Sequence, residues 1–251
     1  MIHYHGTPIG GKRGDVPRFL SGRHALVPWI RPEDLECVAE CCQSFCLDNS
    51  AFSIWRSQGD SPKWSEYYEW VSEWMRHPGF DFALIPDVID GTAEENDAMI
   101  DQWPHGKSRG VPVWHLHEPL DRLAWLCDEW PRVALGSSGE WRTPNTKAWW
   151  RRMSQAMNAA TTESGQAKAK LHGLRMLNPD VYRHLPLSSA DSTNAAQNAN
   201  LLSRFGTYKP PQSWQGAEMI AHRIEAYQSS AAWIDMSHWK QASLFEMGES
   251  V

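Results

Sequence analysis

The sequence predicts one α/β domain, a single (β/α)8 TIM barrel followed by a short C-terminal helical extension that packs on it. Eight short runs with strand character recur along the chain, most of them are separated by amphipathic helical patterns, and the last residues of the runs are polar where their middles are apolar. Strands alternating with helices at this spacing imply parallel pairing through right-handed crossovers. Eight such units fit a closed barrel better than an open sheet. The barrel is expected over 1–204 and the extension over 205–251.

In chain order the expected strands are IHYHG (2–6), HALVPW (24–29), SFCLDNS (44–50), FDFALIPD (80–87), VPVWHLH (111–117), RVALGSS (132–138), KLHGLRM (170–176) and PLSSADS (186–192). The expected helices begin with 32–42, which opens on RPEDLE, and 62–75, rich in Trp and Glu. A helix over 93–103 follows Thr92, with Glu95 three residues on, the pattern of a capping box. Helices over 120–130, 147–160 and 193–204 continue the alternation, and Ser192 and Thr193 are cap candidates for the last. After Pro210 and Pro211 a helix is expected over about 215–227, and the tail AAWIDMSHW is read as packing under the barrel or against a second copy in a homodimer.

Composition excludes several classes. With 41% hydrophobic and 22% charged residues the chain has the make-up of an ordinary globular domain. No run of about 18 apolar residues exists and MIHYHGTPIGGKRG has no apolar signal-peptide core, so the expectation is a cytoplasmic protein with no membrane partner. A net charge of −6 argues against holding nucleic acid by overall charge. It leaves room for a local patch, and EWRTPNTKAWWRRM interleaves aromatics with cations, making Arg142, Lys147, Trp149, Arg151 and Arg152 the candidate nucleic-acid contacts. Four of five cysteines, Cys37, Cys41, Cys42 and Cys46, follow C-x3-C-C-x3-C, which is not a zinc spacing and reads as buried small side chains.

In a barrel of this kind chemistry belongs at the C-terminal ends of the strands. Those ends carry His5, Gly6 and Thr7; Asp48, Asn49 and Ser50; Asp87; His115 and His117; Gly136 to Glu140; His172, Gly173 and Arg175; and Asp191. Three carboxylates, Asp48, Asp87 and Asp191, therefore converge from three strands on one rim. Taken singly each has a plain structural alternative: Asp48 opens a turn, Asp87 or Asp191 caps a helix, and G-S-S-G is a common loop. One per strand end is a pattern those alternatives do not predict.

The ordered set LDNSAFS, FALIPDVIDGT, VALGSSGE, LHGLRMLNPD and SSADSTNAAQN resembles the motifs of the tRNA-guanine transglycosylase superfamily, over roughly residues 45–200. That resemblance implies a (β/α)8 barrel exchanging guanine for a 7-deazaguanine base, with neither metal nor cofactor in the chemistry. Carried over by position, Asp191 is the nucleophile, Asp48 the general acid and base, and Asp87 the reader of the purine edge. Asn49, Ser50, His115, His117, Gly136, Ser137 and Ser138 complete the base pocket. The chain departs from the family in reading D-N-S-A-F for D-S-G-G-F and HLHE for a Gln-Gly segment on the fifth strand. It also has no cysteine beyond Cys127 for the zinc subdomain of the tRNA enzymes. Those departures favour the shorter phage-type relatives, with DNA rather than tRNA as the polymer and a 7-deazaguanine as co-substrate.

Two other readings stay open at the level of sequence. His3 with His5 and His115 with His117 are i, i+2 pairs, which with Asp191 resemble the ligand layout of metal-dependent amidohydrolases. A barrel retained only to bind nucleic acid is the other.

Overall fold

The structure is a computed structural model, and it describes residues 1–7, 13–57, 62–201 and 208–234. Nine strands form one wholly parallel sheet: β1 (Ile2–Gly6), β2 (His24–Pro28), β3 (Ser44–Asp48), β4 (Phe80–Leu84), β5 (Gly110–Val111), β6 (Val113–His115), β7 (Arg132–Gly136), β8 (Lys170–Gly173) and β9 (Leu187–Ser192). Their order is β5-β4-β3-β2-β1-β9-β8-β7-β6. The two ends of that sheet are halves of one run split at Pro112, which has no N–H to give a ladder. The Pro112 carbonyl still accepts from Ala134 N at 2.9 Å, so the sheet closes on itself as an eight-stranded barrel.

Alternation along the strands sorts the apolar residues into two clusters. Tyr4, Leu26, Cys46, Phe82, Val113 and Ala134 fill the barrel. Their neighbours in sequence, such as Ala25, Phe45, Leu47, Ala83, Trp114 and Leu135, face outward to the helices. Those helices are α1 (Val16–Leu20), α2 (Leu35–Cys41), α3 (Ala51–Ser57), α4 (Trp64–Trp74), α5 (Ala93–Asp101), α6 (Leu120–Glu129), α7 (Lys147–Ala160), α8 (Pro179–Tyr182), α9 (Asn194–Asn198) and α10 (Ser213–Glu225). The expected box at α5 forms: Thr92 Oγ1 accepts from Glu95 N at 3.2 Å and Glu95 Oε2 accepts from Thr92 N at 2.7 Å.

Several expected bounds move, each for a local reason. Run 44–50 ends as strand at Asp48 because Ser50 has φ 61° and Asn49 Oδ1 accepts from Ala51 N at 2.8 Å, which starts α3, a helix the periodicity did not reveal. Run 170–176 stops at Gly173 before Arg175 turns to φ 57°. Thr193 makes no side-chain cap; Ser192 Oγ instead accepts from Asn194 N at 2.9 Å. The expected helix over 193–204 runs as α9 to Asn198, and 202–207 lie outside the described residues. Helix α10 packs on α1 and α9. Of the tail, Trp233 is buried and hydrogen-bonded to Gly165, while 235–251 lie outside the described residues.

The cysteines separate rather than cluster. Cys46 points into the barrel, and Cys37, Cys41 and Cys42 lie outside it on and just after α2, all as free thiols. Among the described residues no helix is long and apolar enough to cross a membrane.

Candidate active site

A cavity of about 780 Å³ opens at the C-terminal ends of the strands. Asp48, Asn49, Asp87, His115, Gly136, Ser137, Ser138, Arg142 and Asp191 all line it. Strand parity explains the convergence. Asp48 is two residues beyond the inward Cys46, His115 two beyond the inward Val113, and Asp191 stands opposite the inward Tyr4 in the β1–β9 register.

Asp191 is part of β9 rather than a cap of the helix that follows. Its Oδ1 accepts from Arg175 N at 3.0 Å, and His172 Nε2 stands 3.4 Å from the same oxygen. The His172 ring is fully buried in the barrel against Phe82 and Tyr4, and its Nδ1 is paired with Ser189 Oγ at 2.9 Å. One carboxylate oxygen is thus anchored and the other is left towards the cavity.

Asp48 lies recessed at the end of β3. Burial, reinforced by the negative charge of Asp191, raises its carboxyl to a pKa of about 7, although a hydrogen bond from the Ser50 backbone pulls the other way. Asp87 is held on both oxygens, by Asn49 Nδ2 at 2.9 Å and His115 Nε2 at 2.8 Å. The His115 ring in turn lies over Gly136, where a Cβ would come within 2.7 Å of Nδ1, so only glycine lets it sit there. It is stacked at 17° on His117, whose nitrogens pair with Ser138 Oγ (2.7 Å) and Gly91 O (2.8 Å).

Some expected contacts fall elsewhere. Ser50 is buried, with its Oγ accepting from Ile30 N at 3.2 Å, and does not line the cavity. His117 backs His115 instead of facing the cavity. The Ser137 hydroxyl accepts from the Trp149 indole at 2.9 Å, so this loop offers the cavity its backbone more than its hydroxyls. Trp149 is fully buried and cannot present a stacking face, because the inward stripe of α7 runs through it, Met153, Ala156 and Met157. Arg152 is turned to Leu116 O (2.7 Å) and Glu118 O (2.5 Å), holding the β6 turn. Lys147 and Arg151 are exposed on the outer face of α7, away from the cavity.

The two histidine pairs do not meet. His3 packs edge-on against Tyr182 and His5 against Phe19 on the helix side of β1, with His5 Nε2 2.9 Å from Glu225, whereas His115 points into the mouth. Among the described residues no group of three His, Cys, Asp or Glu is placed to hold a metal ion.

The site also contains residues not singled out for it from sequence. Arg175 lays its guanidinium 3.3 Å above the Phe52 ring, and Phe52, Trp55 and Arg56 of α3 form one wall. Arg175 sits in the LHGLRM segment already read as a strand end, so its place was within reach. The α3 wall was hidden because a seven-residue helix directly after a strand shows less than two turns of periodicity.

No known family profile and no curated protein matches the sequence. Solved structures do. Two mutant tryptophan synthase alpha-subunits from the hyperthermophile Pyrococcus furiosus superpose with TM-score 0.54 at 12% identity, covering 90% of this chain and 97% and 98% of theirs. The tryptophan synthase a2b2 complex from the same organism gives TM-score 0.50 at 11% identity, over 90% of this chain and 98% of that one. At such identity the likeness carries architecture and not chemistry. The chain is a (β/α)8 barrel, and what it does has to be read from the acids at its mouth.

Proposed function

We propose that the barrel is a pentosyltransferase that exchanges guanine in a nucleic acid, DNA in preference to tRNA, for a 7-deazaguanine base through a covalent aspartyl-sugar intermediate. The observation that carries this reading is the pair Asp48 and Asp191: two inward carboxylates from different strands share one cavity, one anchored and able to attack, the other holding its proton near neutrality. Breaking an N-glycosidic bond needs that combination of a nucleophile for the sugar carbon and an acid for the leaving base.

The free oxygen of Asp191 forms a bond to C1′ as the bond from C1′ to the base breaks, and Asp48 gives its proton to the departing guanine. In the return step the Asp48 carboxylate takes a proton from the incoming 7-deazaguanine, whose nitrogen bonds to C1′ and releases Asp191. A carboxyl of pKa about 7 suits both transfers. Asp87, held by Asn49 and His115, accepts from the N–H edge of guanine, a set of donors that adenine lacks. A nucleotide inside a duplex has to be turned out of the stack to reach these groups, at a cost of a few kcal/mol.

The test is to incubate the protein with DNA, and separately tRNA, carrying labelled guanine and to follow release of label on adding 7-deazaguanine bases. Release from DNA that disappears in Asp191→Asn is the expected result. Release from neither polymer would overturn the assignment.

A further inference from the structure

The motif EWRTPNTKAWWRRM is divided by the fold. Arg142, Thr143 and Pro144 line the cavity at the barrel mouth, Trp149 and Arg152 turn inward, and Asn145, Lys147, Trp150 and Arg151 line a second groove between α7, α8 and the segment 230–234. That groove is larger than the cavity, at about 860 Å³. The α8 side supplies Arg183 and His184, both exposed, and Asp180 is the one carboxylate among its described lining residues. In a chain of net charge −6 this is a local concentration of cations. Lys147 and Arg151 have no carboxylate partner among the described residues, and Arg183 lies over the Tyr227 ring at 4.5 Å.

The crest between cavity and groove is built, not incidental. Asn145 adopts φ 70° and its Oδ1 accepts from the Trp150 indole at 2.8 Å. Trp150 is fixed edge-on between Trp149 (4.8 Å) and His184 (5.9 Å). Beyond the crest, Lys147 and Arg151 are one helical turn apart, about 6 Å along the helix at 1.5 Å per residue, while farther on Ser154 Oγ donates to Trp150 O at 2.8 Å and Asn158 Oδ1 accepts from the Trp233 indole at 2.6 Å. Cations repeating along a groove beside an aromatic wall are the features that hold a nucleic-acid strand by its phosphates and bases.

We infer that the α7–α8 groove is a second, non-catalytic surface that binds the phosphodiester backbone of a single strand flanking the reacting nucleotide, which leaves the cavity over Asn145. The inference rests on the proposed function only for what happens in the cavity; binding in the groove stands apart from turnover.

The test uses the full chain, a fluorescein-labelled 12-nucleotide single-stranded DNA read by anisotropy from 50 to 200 mM salt, and the triple variant Lys147→Glu, Arg151→Glu, Arg183→Glu. Each phosphate neutralised on a single strand contributes about 0.7 to the slope of log affinity against log salt, so losing three cations is expected to flatten that slope by about 2. Affinity at 50 mM salt is expected to fall at least tenfold. With a 12-nucleotide exchange substrate KM rises and kcat holds, while a trinucleotide is processed as before. An unchanged slope and affinity overturn the proposal. A fall in Tm with unchanged DNA binding also overturns it, by giving the three cations a structural role only. If no exchange occurs with any polymer but the slope still flattens, the catalytic reading fails and the groove stands.

Discussion

The barrel has acids at both ends of its interior, and they are treated differently. At the N-terminal end Asp81, the extra residue of the β3–β4 bulge, accepts from Arg132 Nη1 at 3.0 Å and from the Tyr4 hydroxyl, with the Arg132 guanidinium 4.3 Å over Phe82. That acid is neutralised where it stands. At the C-terminal end Asp48 has no such salt bridge among the described residues, faces the charge of Asp191, and holds its proton up to about pH 7. The same residue type is a tie at one end and a reactive group at the other, and the partner sets the difference. An enzyme barrel is expected to put stability at the first end and chemistry at the second.

That contrast is sharpened most by removing the mouth carboxylates. Asp191→Asn is expected to lower exchange on the order of 10⁴-fold and to abolish any trapped adduct on denaturing gels, with folding intact by circular dichroism. Asp48→Asn is expected to cost about 10²–10⁴-fold in the rate of guanine release. Retained activity in either would remove the division of roles. At the other end Asp81→Asn is expected to leave exchange within a few-fold and to destabilise the fold by about 1–3 kcal/mol in urea titrations, because a charged hydrogen bond is lost and Arg132 is left without its carboxylate. A large kinetic effect with unchanged stability there would reverse the comparison.

Gly136→Ala probes how finely the mouth is fitted. The added methyl meets His115 Nδ1 at 2.7 Å and has to push the ring off Asp87, with an expected loss of about tenfold in kcat/KM and little change in Tm. The smallest effect expected is a pH-dependent one. The Asp48 carboxyl titrates near 7 in the native protein against an ordinary 3.8, so the native state keeps a proton that the unfolded chain releases. The stability this supplies is full below about pH 4 and is lost as pH rises to about 7. Asp48→Asn does not titrate, so its Tm should gain on the parent by a few degrees between pH 4 and pH 8; a constant gap would show that Asp48 is an ordinary exposed acid.

Much of this was legible before folding because two of its causes are local. The period-2 runs put Asp48, His115 and Asp191 on the same inward parity as the apolar residues before them, and Thr92 with Glu95 marked the start of α5. Pro112 splits one run into β5 and β6 without moving either half out of the barrel. The basic motif is less legible, because its residues are neighbours in sequence but a helix sends Trp149 and Arg152 to one side and Trp150 and Arg151 to the other. Ser50 and His117 turn away from the cavity for a related reason: past the end of a strand the parity rule no longer holds.

The sequence by itself determined that the chain is a (β/α)8 barrel and that acids stand at its strand ends, since hydrophobic period and turn residues are properties of short segments. Only the tertiary structure decided which of those groups share a cavity, that the Arg175 N–H anchors one oxygen of Asp191 beside the His172 ring, and that Phe52 lies under Arg175. The contact of Arg175 with Phe52 joins segments 123 positions apart. Closing the barrel creates it, and nothing in either segment alone encodes the meeting.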